Sequence, residues 1–143
     1  MSDDGEPDIS GAWDGVYTYT GRQQQMPAIR FQAVFAVPQE AGRFSGEITD
    51  ENGFGEAEVA GTRDGRSLRF VKKYRLTLYP RAFPISYEGT LSEDHLSISG
   101  TWLIVQRLFG IIPLRSTGDW RAQRPGLPEM QIVWPPPPQA PEQ

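Results

Sequence analysis

The aromatic side chains Trp102, Trp120, Tyr17 and Tyr87, and the ionisable groups Asp50, Lys72 and Arg124, carry most of the chemistry this sequence offers. The four rings suit the walls of a site for a planar or partly apolar molecule, because large flat surfaces bury well and each keeps a polar handle or edge. The three charged residues fall at positions that strand alternation sends inward, where a charge is costly unless it meets a partner or a ligand. Lys72 or Arg124 would then anchor a polar group. The bland reading has Asp50 capping the turn that follows it and Lys72 turning outward at a bulge. His95, beside Glu93 and Asp94, has the composition of an acid-base group but falls at the tip of an expected hairpin, where a solvated turn is the simpler reading. Cysteine is absent and His95 is the single histidine, which removes thiolate chemistry, disulfides and the usual zinc ligand sets. No nucleophile elbow, phosphate loop or histidine pair is legible, so the sequence assigns no catalytic residue, no metal and no cofactor.

The elements that must hold these residues are short β-rich runs between Ile9 and Arg124, broken by Gly, Pro, Asn and Asp. Strands are predicted near 9–20, 28–37, 43–50, 54–62, 66–78, 84–92, 95–105 and 116–124. Asn52-Gly53 and Asp64-Gly65 suit two-residue hairpin turns, Glu93-Asp94-His95 a short break, and 39–42 and 79–84 slightly longer connections. Sequential hairpins favour an up-and-down meander, and eight strands can hide their edges by closing. The fold class is therefore all-β: a closed antiparallel up-and-down barrel of about eight strands with a disordered, proline-rich C-terminal tail. Alternation sends inward Trp13, Gly15, Tyr17 and Tyr19; Ile29, Phe31, Ala33, Phe35 and Val37; and Phe44, Gly46, Ile48 and Asp50. It does the same for Leu68, Phe70, Lys72, Tyr74 and Leu76; Ile85, Tyr87, Gly89 and Leu91; Leu96, Ile98, Gly100 and Trp102; and Trp120, Ala122 and Arg124.

A chain of 143 residues suits one domain with one core, here 9–124, between an acidic N-terminal stretch, 1–8, and an extended tail, 125–143. The net charge is -4, and twelve Arg and two Lys are scattered along the strands, so nucleic acid is not an expected partner. The first residues carry neither a basic nor an apolar leader region and no apolar run approaches membrane-spanning length, which points to a cytoplasmic protein without a membrane partner. The run from Leu103 to Leu114 holds more apolar residues than one half-buried strand needs. A long hairpin turning at Phe109-Gly110, a homo-oligomer interface and a lid over the barrel mouth are all open. The polyproline run from Pro135 to Pro138 suits either a spacer or a segment that docks on a partner's aromatic groove.

Gly-x-Trp occurs three times, at Gly11-Ala12-Trp13, Gly100-Thr101-Trp102 and Gly118-Asp119-Trp120. The first copy resembles the calycin group of small barrels, whose lipocalins carry Gly-x-Trp on the first strand under a basic residue from the last. Arg121 or Arg124 would take that part. The pattern is similar to avidins as well, through Gly42-Arg43-Phe44-Ser45-Gly46, Trp102-Leu103-Ile104 and Asp119-Trp120-Arg121-Ala122-Gln123-Arg124. That resemblance implies a barrel with Trp102 and Trp120 where avidins place ligand-stacking rings. It does not carry the biotin site, because Gly15 and Ile48 stand where polar biotin contacts are expected.

Three functions are compatible with these readings. The leading one is a non-catalytic small barrel that binds a small, partly apolar ligand in its interior or mouth, using Trp102, Trp120, Tyr17, Tyr87, Lys72, Arg124 and Asp50. An interaction or assembly module built on 103–114 and the polyproline tail is the second. The third is a barrel-type isomerase or cyclase, with Asp50, Tyr74 or Tyr87 positioning or protonating a substrate.

Overall fold

Each β-rich run becomes a strand because its apolar residues recur at every second position, so one face can be buried while the other stays wet. The computed structural model describes residues 7–21, 25–51, 55–75, 84–108 and 111–126, with backbone alone for 106–108 and 112–114. The strands are β1 (Gly11–Tyr19), β2 (Ile29–Phe35), β3 (Arg43–Asp50), β4 (Gly55–Asp64), β5 (Ser67–Tyr74), β6 (Ile85–Leu91), β7 (Ser97–Leu108) and β8 (Ile112–Gln123). Each pairs antiparallel with the next, and β1 pairs with β8 from Asp14↔Gln123 to Tyr19↔Gly118, closing the barrel. No described helix is long and apolar enough to cross a membrane.

The predicted inward set forms one interior cluster that runs from Ile9, Trp13 and Phe44 to Tyr17, Ile85 and Trp102. Val37 and Leu96 are corrections, at 68% and 39% exposure. Val37 lies past the end of β2, and Leu96 precedes β7 in the turn whose carboxylate, Asp94 Oδ1, accepts from the Leu96 N–H at 3.0 Å. His95 sits in that turn with φ 65°, exposed, as the hairpin-tip reading expects. The β4–β5 turn consists of Gly65 and Arg66, one residue on from the predicted pair, since Asp64 still pairs with Ser67. A φ of 61° at Gly65 is what a two-residue hairpin turn requires.

The chain between Leu103 and Leu114 is a long hairpin rather than a lid. β7 and β8 pair from Ser97↔Gln123 to Leu108↔Ile112, whereas β6 pairs with β7 only as far as Leu103 and β1 with β8 only as far as Gly118. Among the described residues, the hairpin therefore continues past its last partners on β6 and β1. The expected turns at Asn52-Gly53 and Phe109-Gly110, the inward Leu76, most of the 79–84 connection, residues 1–6 and the tail from 127 lie outside the described residues.

Candidate functional site

In an up-and-down barrel the hairpins alternate between two ends, so the register decides which end receives each inward group. At the end where β1 starts and β8 finishes, Ile9 and Trp13 are 0% and 1% exposed, and the Trp13 indole N–H donates to the Ile9 carbonyl at 2.9 Å. The Arg124 guanidinium lies 4.1 Å from the centre of the Trp13 ring. Its Nη1 donates to the Ser10 carbonyl at 2.8 Å and its Nη2 to the Asp8 carbonyl at 3.0 Å. These contacts tie the entry of the chain to its last strand and shut this end. Arg124 was a candidate ligand anchor, and the structure places it at the opposite end of the barrel from Asp50 and Lys72.

The middle is filled by rings. Phe70 stacks on Tyr87 with centroids 4.8 Å apart, and Trp120 meets both edge-on at 5.6 Å. The Trp120 indole N–H donates to the Glu88 carbonyl at 2.9 Å, and the ring crosses Gly89, where a Cβ would stand 2.5 Å from Trp120 Cζ2. Trp102 repeats the device one step round the wall. It crosses Gly118 and donates to the Thr18 carbonyl at 3.0 Å. The glycines thus leave room for each ring to cross the inner wall, Trp120 as far as Gly89 of β6 and Trp102 over Gly118 of β8, and both indole N–H groups are committed to backbone.

At the other end stand the buried charges. Lys72 Nζ lies 2.5 Å from Asp50 Oδ2, with both side chains 0% exposed. The Tyr74 hydroxyl donates to the same carboxylate oxygen. Lys72 Nζ also lies 4.8, 5.2 and 5.8 Å from the ring centres of Tyr74, Tyr17 and Tyr87, an aromatic cage around the ammonium. Burial pulls the Lys72 pKa below its ordinary 10.5, with the Asp50 charge and hydrogen bond opposing that shift. Burial, followed by the Asp50 charge, pushes Tyr87 well above 10.0, and the same two causes raise Tyr19. The rim is completed by Tyr19, whose ring meets Trp102 edge-on at 5.0 Å, and by Ile29, Tyr74 and Ile104, all partly buried against the core.

Of the sequence-named candidates, the structure gathers Asp50, Lys72 and Tyr17 at one end, where Tyr87 and Trp102 reach them from the ring-filled middle, leaves Trp120 in that middle and sends Arg124 to the opposite end. Arg63 is an inward ionisable residue that the sequence reading missed, at 7% exposure. Its Nη2 donates to the Gly65 carbonyl at 3.1 Å, near the shut end. Alternation carried through Ala57, Val59 and Gly61 would have found it, but β4 runs two residues past its predicted end. The Asp50–Lys72–Tyr74 group offers ammonium and phenol donors, a carboxylate acceptor and aromatic faces in one apolar setting. No group of three or more His, Cys, Asp or Glu able to hold a metal exists among the described residues. No protein-family model matches the chain, and no curated protein or solved structure matches it.

Proposed function

We propose that this chain is a calycin-like small barrel that binds a small, partly apolar molecule at the end carrying Asp50, Lys72 and Tyr74. The observation that supports this is an asymmetry between ends. The four partly buried hydrophobic residues packed on the core, Tyr19, Ile29, Tyr74 and Ile104, lie toward the strand ends that carry the buried ion pair, while at the opposite end Ile9, Trp13 and Arg124 cap the core beside a surface cleft of about 350 Å³ lined by Asp8, Gln39, Arg43 and Arg63. A buried ion pair is a weak source of stability compared with apolar packing, so its presence beneath a half-buried rim favours a recognition role. The apolar part of the ligand would lie on Tyr17, Tyr19 and Trp102, and an acceptor such as a carbonyl or carboxylate would face Lys72 and Tyr74. Arg124 over Trp13 supports the calycin-like assignment, since it is the pairing that the resemblance implies.

Native mass spectrometry of freshly purified protein and titration with anilinonaphthalene sulfonate test this reading. A retained small molecule or saturable one-to-one dye binding, weakened at least about tenfold by Ile29→Trp at the rim, is expected; neither in the wild-type protein would overturn it. The contact between Tyr74 and Asp50 favours a second reading, proton transfer in an isomerase or cyclase. Tyr74→Phe separates the two, because a recognition role alone predicts weaker binding and no turnover to lose, whereas proton transfer predicts turnover in the wild-type protein that this variant abolishes.

A further inference from the structure

Beside the core cap made by Ile9 and Trp13, two pieces of the chain line a cleft of about 350 Å³. One is the entry of the chain at Pro7 and Asp8, and the other is the β2–β3 connection from Pro38 to Gly42 with Arg43 after it. Arg63 of β4 completes the lining and is the one buried residue in it, at 7% exposure. That volume lies at the small end of the range for small-molecule sites.

Both walls are held in place by the protein itself. Arg124 donates to the Asp8 carbonyl, and Asp8 Oδ1 accepts from the Ser10 N–H at 2.9 Å and the Ser10 hydroxyl at 2.7 Å. Across the cleft the Arg43 N–H donates to the Glu40 carbonyl at 3.2 Å, and the Arg63 N–H donates to the Gly42 carbonyl at 3.0 Å. A cleft fixed in this way loses little entropy when a ligand enters. Its electrostatics favour an anion. Hydrogen bonds from Ser10 chiefly, with the charges of Arg124 and Arg63 adding to them, hold the Asp8 carboxyl below its ordinary 3.8. The Glu40 carboxylate stays at the exposed rim, 3.7 Å from Arg43. Arg63 Nη2 donates to the Gly65 carbonyl at 3.1 Å, an acceptor without net charge. With Arg124 included, three guanidiniums stand around the cleft against two carboxylates among the described residues, in a chain whose net charge is -4.

We propose that this cleft is a second binding site, which takes a small monocarboxylate with a compact apolar body and anchors it on Arg63 and Arg43. A guanidinium presents paired N–H groups that match the two oxygens of a carboxylate. Pro7, Pro38 and Ala41 offer apolar surface to the body of the ligand, while Asp8 and Glu40 repel a doubly charged anion such as phosphate. The cleft lies at the opposite end of the barrel from Lys72, so it does not depend on a ligand there.

NMR titration of the isotope-labelled full-length protein with benzoate, benzamide and inorganic phosphate tests this. Benzoate is expected to give saturable shifts of the Ala41, Gly42 and Arg63 amide resonances, and the neutral benzamide and the phosphate are expected to give none. The Arg43 side chain is 69% exposed, so Arg43→Gln keeps the fold and should weaken benzoate about tenfold, the worth of one charge-assisted hydrogen bond. Arg63→Lys keeps the charge without the planar fork and should weaken it as well. The proposal fails if benzoate leaves these amides unmoved, if phosphate moves them equally, or if Arg43→Gln binds benzoate as the wild type does.

Discussion

Lys72 Nζ and Asp50 Oδ2 are 2.5 Å apart although β5 and β3, which carry them, are not hydrogen-bonded neighbours in the sheet. β4 lies between, and it faces the interior with small residues there: Gly55 opposite Asp50, and Ala57 between Ile48 and Tyr74. The two long side chains lean over that low stretch of wall and meet. Such a pair depends on both members, since either alone is a charge in an apolar interior.

Lys72→Met alone is expected to cost about 3–5 kcal/mol, because the Asp50 carboxylate loses its counter-charge while buried. Lys72→Met combined with Asp50→Leu should cost clearly less than the sum of the single changes. Urea unfolding of the four proteins checks this; strictly additive losses would mean that the pair is not coupled.

Arg124 holds the shut end through geometry as well as charge. Arg124→Ala removes a cation–π contact and charge-assisted hydrogen bonds to backbone carbonyls, for an expected loss of about 2–4 kcal/mol. Arg124→Lys should recover only part of it, because an ammonium cannot reproduce the planar fork. Equal stability of the Lys variant and wild type in thermal unfolding would refute the fork.

Gly118 is where Trp102 crosses from β7 toward β1. A Cβ there would run into the Thr18 carbonyl oxygen and stand 2.7 Å from the Trp102 ring. Gly118→Ala is expected to destabilise by about 3 kcal/mol or more, since backbone and a fixed indole leave nothing able to move aside. Loss of the near-ultraviolet circular dichroism of Trp102 would accompany it.

Alkaline pH separates the two buried titrating groups by sign. The Tyr87 pKa is raised in the folded chain, so its contribution is fully present below the unfolded value near 10.0 and is lost as pH rises above it. Lys72 is lowered, so the unfolded chain holds that proton more tightly and stability rises with pH until about 10.5, then stops changing. Above pH 10.5 Tyr87 and Tyr19 therefore govern, and wild type should lose stability steeply. Tyr87→Phe should flatten that loss, read from urea midpoints alongside tyrosinate absorbance.

Much of the interior is legible because side-chain direction in a strand depends only on parity. Trp13, Tyr17, Phe70, Lys72, Tyr87 and Trp102 follow from alternation once a strand is recognised. Strand ends are less legible, since apolar residues just past them, such as Val37 and Leu96, keep the pattern without the ladder. Arg63, one residue beyond an expected end, went unseen because the ladder of β4 continues to Asp64.

Parity says which face a residue takes; it is silent on height along the barrel axis and on what lies beyond the wall. Composition and alternation thus determined an aromatic-filled barrel of eight strands, with Asp50, Lys72 and Arg124 turned inward. Only the register of all eight ladders decided that Asp50 and Lys72 share one end while Arg124 seals the other. Only the packed chain disclosed that Val16 and Thr18, outward by parity, are covered, because burial is a property of neighbours in space and not of position along a strand.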